Sequence, residues 1–158
     1  MEKNGQQNKQ RGSIKVLTFL LNNEMFAIPV SDIKEINRIA RQKLVKNAPD
    51  FVLGIINFHG NIAPLIDTKI LLSMEASSFS TKAKWLAVKY ENYFVCLVVD
   101  EICGYLDINY DLLEKMPSVS NSPNLEYITC YAKIKDDILP VLNVHYLIKK
   151  NEKFVITE

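Results

Sequence analysis

The hexapeptide Ile62-Ala63-Pro64-Leu65-Ile66-Asp67 returns as Ile138-Leu139-Pro140-Val141-Leu142-Asn143, a shift of 76 (140 − 64). In the first copy, apolar runs Ile55–Phe58 and Ile62–Ile66 flank His59-Gly60-Asn61. This is the pattern of a β-hairpin in which Gly60 supplies a positive φ. Asp67 stands as an N-cap before Thr68-Lys69-Ile70-Leu71-Leu72, so a helical turn follows. In the second copy, Tyr127–Ile134 and Ile138–Leu142 form a hairpin through Lys135-Asp136-Asp137, and Asn143 caps a helix over Val144–Lys150. Pro64 has no amide hydrogen, which predicts an edge or bulged strand.

A second element recurs as well. Lys84-Trp85-Leu86 with the turn Glu91-Asn92 matches Lys15-Val16-Leu17 with Asn22-Asn23, a shift of 69 (84 − 15). Two copies of one design predict a mainly β fold of two similar small barrels or sandwiches. The first lobe runs over about 14–72, a serine-rich linker over 73–83, and the second lobe over about 84–150. A unit of about 60–70 residues is marginal alone, so the lobes should share a buried interface.

Between the repeated segments the reading is plainer. Ser31 is placed to cap a short helical turn over Asp32–Ile36, and Asn37–Asn47 is polar and basic, an edge strand or loop. Asp100–Ile108 reads as a strand with a bulge at Gly104. Asp111–Lys115 reads as one helical turn stopped by Pro117, and Ser118–Asn124 as a loop. The segment 1–12 has no apolar stretch, so it is neither a signal peptide nor able to pack, and a disordered tail is expected.

A net charge of +1 gives no bulk reason to expect nucleic acid or a membrane surface as partner. No apolar run is long enough to insert into a bilayer. Cys96, Cys103 and Cys130 are odd in number and sit in apolar patterns, which suits core thiols in a reduced, cytoplasmic protein. Their spacing, with His59 and His145, lacks the close-set pairs of a zinc site, so no metal or other cofactor is expected. No Gly-x-Ser-x-Gly motif or glycine-rich phosphate loop occurs, and Asp67 and Asn143 fall at matching capping positions. No residue is therefore assigned a catalytic role.

Four segments together resemble the CheW-type coupling proteins of bacterial chemotaxis and the related regulatory domain of the CheA kinase. They are Val30-Ser31-Asp32-Ile33-Lys34-Glu35-Ile36, the run Gly54–Asp67, Val98-Val99-Asp100 and Ile138–Asn143. The resemblance covers roughly 14–150, within a CheW-like domain drawn at 13–152. It implies two intertwined, SH3-like five-stranded barrel lobes, with terminal segments open to exchange between them. It also implies a non-enzymatic adaptor that bridges the cytoplasmic hairpin tip of a chemoreceptor to the regulatory domain of a CheA-type histidine kinase. By resemblance, Ile33, Glu35, Ile36, Asn57, His59 and Gly60 face the receptor, and Ile102 and Tyr105 line the same groove between lobes.

Two departures mark this chain. The family usually carries Leu-Arg-Gly where Phe58-His59-Gly60 stands, and Cys96 replaces a usual glycine. The arginine resembles the partner of the glutamate matched by Glu35, so here a titrating imidazole takes the place of a permanent bidentate cation. Around these positions charge is segregated. Lys34, Arg38, Arg41, Lys43 and Lys46 stand in one stretch, and Asp100, Glu101, Asp107, Asp111 and Glu114 in another. Such stretches serve either to protect sheet edges or to steer a heterologous contact, with Lys34, Arg38, Arg41, Lys43, Asp100, Glu101 and Asp107 as the steering candidates. A second reading keeps the fold but assigns it to another chemosensory-type pathway, such as surface motility. A third makes the protein a small β-barrel enzyme or ligand binder using the groove.

Overall fold

The computed structural model describes residues 12–39, 48–115 and 126–151. The expected tail, the loop at Ser118–Asn124, and Arg41, Lys43 and Lys46 lie outside the described residues. The first half supplies β1 (Ser13–Leu21), β2 (Glu24–Pro29), β3 (Ile33–Arg38), β4 (Val52–Phe58), β5 (Asn61–Asp67) and helix α1 (Thr68–Leu71). The second supplies β6 (Lys84–Tyr90), β7 (Tyr93–Val99), β8 (Glu101–Asn109), β9 (Leu113–Lys115), β10 (Ile128–Ile134), β11 (Asp137–Leu142) and helix α2 (Val144–Lys150). The fold is mainly β, with few and short helices.

Among the described residues two sheets form, and they do not coincide with the halves of the chain. One has the order β8-β1-β2-β11-β10-β9, the other β3-β6-β7-β5-β4. Contiguous lobes at 14–72 and 84–150 are thus corrected, because each half lends its first hairpin to the sheet of the other. The exchange is made by parallel pairs at equivalent positions, Leu65 with Cys96 and Val141 with Ala27 (141 − 65 = 76; 96 − 27 = 69). Instead of two closed five-stranded barrels, the strand orders give one six-stranded and one five-stranded sheet. Their outer strands, β8 with β9 and β3 with β4, are not paired to each other. Only the 3-10 turn Tyr110–Leu112 separates β8 from β9, so that sheet must curl towards closure.

The hairpin turns behave as their residues dictate. His59 (φ 50°) and Gly60 (φ 88°) both take left-handed conformations, as a two-residue type I′ connection requires, and Phe58 pairs with Asn61. Lys135 takes the same conformation (φ 56°) at the equivalent place (135 − 59 = 76). Asp67 and Asn143 cap α1 and α2 by accepting from the amides of Lys69 and Tyr146.

Three local expectations are corrected. Pro64 lies in an interior strand, which tolerates it because the ladder to β7 begins only at Leu65. The segment after Pro29 makes a 3-10 turn (Val30–Asp32) without a side-chain cap, and Ile33–Ile36 is strand rather than helix. There, β-branched residues gain more from pairing with β6 than four residues gain from an isolated helical turn. Likewise Asn109 caps a 3-10 turn over Tyr110–Leu112, and Leu113–Lys115 then extends along β10.

Period-two alternation divides the apolar residues among three clusters. Trp85 and Ala87 of β6 point into a small cluster with Phe58, Leu65, Cys96 and Val98. Val16, Ala27, Ile108, Ala132, Leu139 and Val141 fill the other sheet's interior. The opposite faces of β1, β2, β6 and β7 meet with α1 and α2 in the largest cluster, which includes Leu17, Phe19, Ile28, Leu86, Leu97 and Leu147. This shared core joins the sheets. Of the cysteines, only Cys96 is buried; Cys130 is half-buried and Cys103 exposed, because β8 is an edge strand with an outward face.

One flaw in the shared core is visible in the repeat. The hydroxyl of Thr68 is buried without a hydrogen-bond partner among the described residues, whereas the matching position (144 − 68 = 76) is the fully buried Val144. Thr68→Val should stabilise the protein by about 1 kcal/mol, because it removes an unsatisfied polar group while keeping the shape. Chemical denaturation should show a higher midpoint at an unchanged slope.

Candidate functional site

Two edge strands from different sheets, β3 and β8, face one another across a groove. Val30, Ile33, Lys34, Glu35, Ile36 and Tyr105 line it. Ile33 and Ile36 are half-buried against the shared core, as is Ile102 on β8, while Tyr105 stands 61% exposed at the rim. Ile33 and Ile36 therefore give one side to the core and leave the other at the groove, whereas Ile102 packs on the same core without lining the groove. Tyr105 is the exception, an aromatic ring held mostly in solvent on a rigid strand.

The hairpin β4–β5 reaches Glu35, one of the residues that line the groove. Its turn brings the His59 imidazole to Glu35, with Nε2 and Oε1 2.7 Å apart, so the residue pair anticipated from the sequence is formed. The ring also meets the edge of Phe58 at a centroid distance of 4.6 Å, and Phe58 is packed on Trp85 and Phe94. Asn57 is occupied within the turn, its Oδ1 accepting from the Gly60 amide at 2.8 Å. The exposed imidazole is thus carried on a turn anchored by a buried aromatic.

Glu35 pairs with Ala87, and Ala87 with Cys96, so the three stand in one row across the sheet. Burial, aided by the Glu35 charge, pushes the Cys96 thiol up to about 12. It is a neutral filler where the family usually has glycine, and no nucleophile.

The model of the CheW-like domain family matches residues 15–152. The chain belongs to this family. Chemotaxis protein CheW of Helicobacter pylori is 25% identical over 139 residues, which span 87% of this chain and 83% of the relative. Protein PilI of Pseudomonas aeruginosa is 25% identical over 100 residues, 63% of this chain and 56% of that protein. Among solved structures, scaffolding protein TtCheW from Thermoanaerobacter tengcongensis superposes with a TM-score of 0.82 at 23% identity. That match covers 92% of this chain and 99% of the other.

In this CheW-like chain the charged candidates divide. Lys34 and Arg38 are exposed on β3. Glu101 and Asp107 keep to the surface, each 3.9 Å from a lysine, Lys82 and Lys15 respectively. Asp100 is not a free steering charge: its carboxylate is bound by Lys69 Nζ at 2.6 Å and by the Asn22 amide at 2.8 Å. Lys69 was not singled out by the sequence, where it reads as one more polar residue of a helical turn. Its side chain is wholly buried, donating also to Ser77 Oγ at 2.7 Å and lying 4.2 Å from the centre of the Phe79 ring. Ser77 Oγ donates onward to Asn22, and Asn22 to the Glu75 carbonyl, so the linker is tied across both sheets. Among the described residues, no three His, Cys, Asp or Glu side chains converge as metal ligands, and no helix is long and apolar enough to cross a membrane.

The thiols should report this geometry. With Ellman's reagent at mildly alkaline pH, Cys103 should react first. Cys96 should react at least about 10³-fold more slowly than in the denatured chain, since it must await opening of the sheet.

Proposed function

We propose that the protein is a non-enzymatic cytoplasmic adaptor of chemotaxis signal transduction. In this reading it joins the cytoplasmic hairpin tip of a chemoreceptor to the regulatory domain of a CheA-type histidine kinase. The observation that carries the proposal is the groove itself, lined by Ile33, Ile36 and Tyr105, with Glu35 in its wall held by His59. Its walls come from two sheets locked by a common core. A segment lying in it touches both sheets at once, and its position is passed on through rigid contacts rather than through chemistry.

The named residues divide by role. Ile33, Ile36, Ile102 and Tyr105 offer the apolar contact, where a few anchors carry most of the affinity. Glu35, Asn57, His59 and Gly60 present the polar rim of the turn. Lys34 and Arg38 on one wall, with Glu101 and Asp107 on the strand opposite, orient the approach and raise its rate. Membership of the CheW-like family and the likeness to a chemotaxis protein over most of both chains support this circuit.

The test is a pull-down of the intact protein with a receptor hairpin tip and, separately, with the kinase regulatory domain. Tyr105→Ala should weaken receptor capture about tenfold or more while leaving kinase capture and thermal midpoint unchanged. Raising salt from 50 to 500 mM should slow association with the receptor tip, because the steering charges are exposed. Capture of neither partner at micromolar concentration would leave the fold intact and remove this function.

A further inference from the structure

Side chains three apart on a regular strand point to opposite faces, because the pleat has a period of two. Ile102 and Tyr105 break that rule. Ile102 stands opposite Phe19 and Tyr105 opposite Leu17, and directly opposed residues share a face. Phe19 and Leu17 both face the shared core, so both β8 residues lie on that side. The register shift between Thr18 and Phe19 accounts for this. Cys103 is an extra residue, a β-bulge, between Ile102 and Gly104.

The repeat carries the same device in the opposite wall. Lys34 (103 − 34 = 69) is the extra residue of β3. It puts Ile33 opposite Val88 and Ile36 opposite Leu86, two further residues of the shared core. Of the four apolar residues so placed, Ile33, Ile36 and Tyr105 line the groove. Without its bulge, each wall would turn one of its two apolar residues away from that side.

The β8 bulge has a fastening of its own. Gly104 takes a φ of 138°, in the region that favours glycine, although a Cβ there would meet nothing within 4 Å. Its carbonyl oxygen accepts from Thr18 Oγ1 at 2.9 Å, and Thr18 is buried. The matching pair on β6 and β3 is Ala87 and Glu35 (87 − 18 = 69; 104 − 35 = 69), where the facing residue has no hydroxyl to donate. We infer that Thr18 is a positioning residue: by holding the Gly104 carbonyl it fixes the bulge at Cys103, and the bulge turns Tyr105 to the groove. Buried as it is, Thr18 meets no partner and acts through the ring alone. Its bearing on binding rests on the groove reading proposed above, with Tyr105 as an anchor.

The test uses Thr18→Val, which keeps the branched shape and removes the donor, and Thr18→Ser, which keeps the donor. In the free protein, amide hydrogen exchange read by NMR should show Ile102–Tyr105 about fivefold less protected in Thr18→Val, the size of one neutral hydrogen bond, with Leu106–Ile108 unchanged. Thr18→Ser should restore the protection. Capture of the receptor hairpin tip should fall about fivefold in Thr18→Val and recover in Thr18→Ser. The double variant with Tyr105→Ala should bind no more weakly than Tyr105→Ala alone. Unchanged protection in Thr18→Val would overturn the hold on the bulge, and an additive loss in the double variant would overturn the positioning of Tyr105. If Tyr105→Ala by itself leaves capture unaltered, the groove reading fails instead, and the exchange result alone decides the role of Thr18.

Discussion

The apolar layer between the two sheets is the constraint on which the rest of the molecule depends. Each sheet has an interior cluster of its own, but these are small: Val16, Ala27, Ile108, Ala132, Leu139 and Val141 in one, and eight residues around Phe58 and Trp85 in the other. Units of that size are marginal in isolation. β1, β2, β6 and β7 escape the limit by being apolar on both faces, so one face fills a sheet's interior while the other meets the opposite sheet. The burial of Leu17, Phe19, Ile28, Leu86, Val88 and Leu97 between sheets makes two half-domains into one cooperative body.

Exchange of the first hairpins follows from the same need. With β1–β2 in the sheet of the second half and β6–β7 in the sheet of the first, neither half can leave without breaking a sheet. The crossings, at Val30–Asp32 and Asp100, then become the points where the relative position of the sheets is set. The Lys69–Asp100–Asn22–Ser77 network sits on one of them and binds the linker down as well. A lysine that is wholly buried is costly unless every proton is matched, and here its donors meet a carboxylate, a hydroxyl and a carbonyl.

The groove is a consequence of this geometry rather than an addition to it. Because each crossing leads into a strand that is outermost in its sheet among the described residues, β3 and β8 end up facing one another from different sheets. A surface of that kind reports on the position of both sheets, which suits a scaffold whose output is the placement of partners. The His59–Glu35 contact binds the tip of a hairpin to one wall.

What the sequence determined by itself was everything governed by local chemistry and by repetition. The duplicated proline hairpins, the left-handed turn at Gly60, the caps at Asp67 and Asn143 and a bulge beside Gly104, at Cys103, could be read from residues, while the pairing of Glu35 with His59 followed from the family resemblance. Where two local preferences were nearly balanced, tertiary pairing decided. Ile33–Ile36 follows a cap-like serine yet is strand, because the edge of β6 was open to it. Which copy's hairpin completes which sheet was invisible, since equivalent residues such as Ala27 and Cys96 present nearly the same small apolar side chain to either partner. The fate of Lys69 and Asp100 was hidden for a related reason. Charge in a sequence carries no sign of burial, and only the meeting of segments 31 residues apart turns two surface-looking ions into a buried pair.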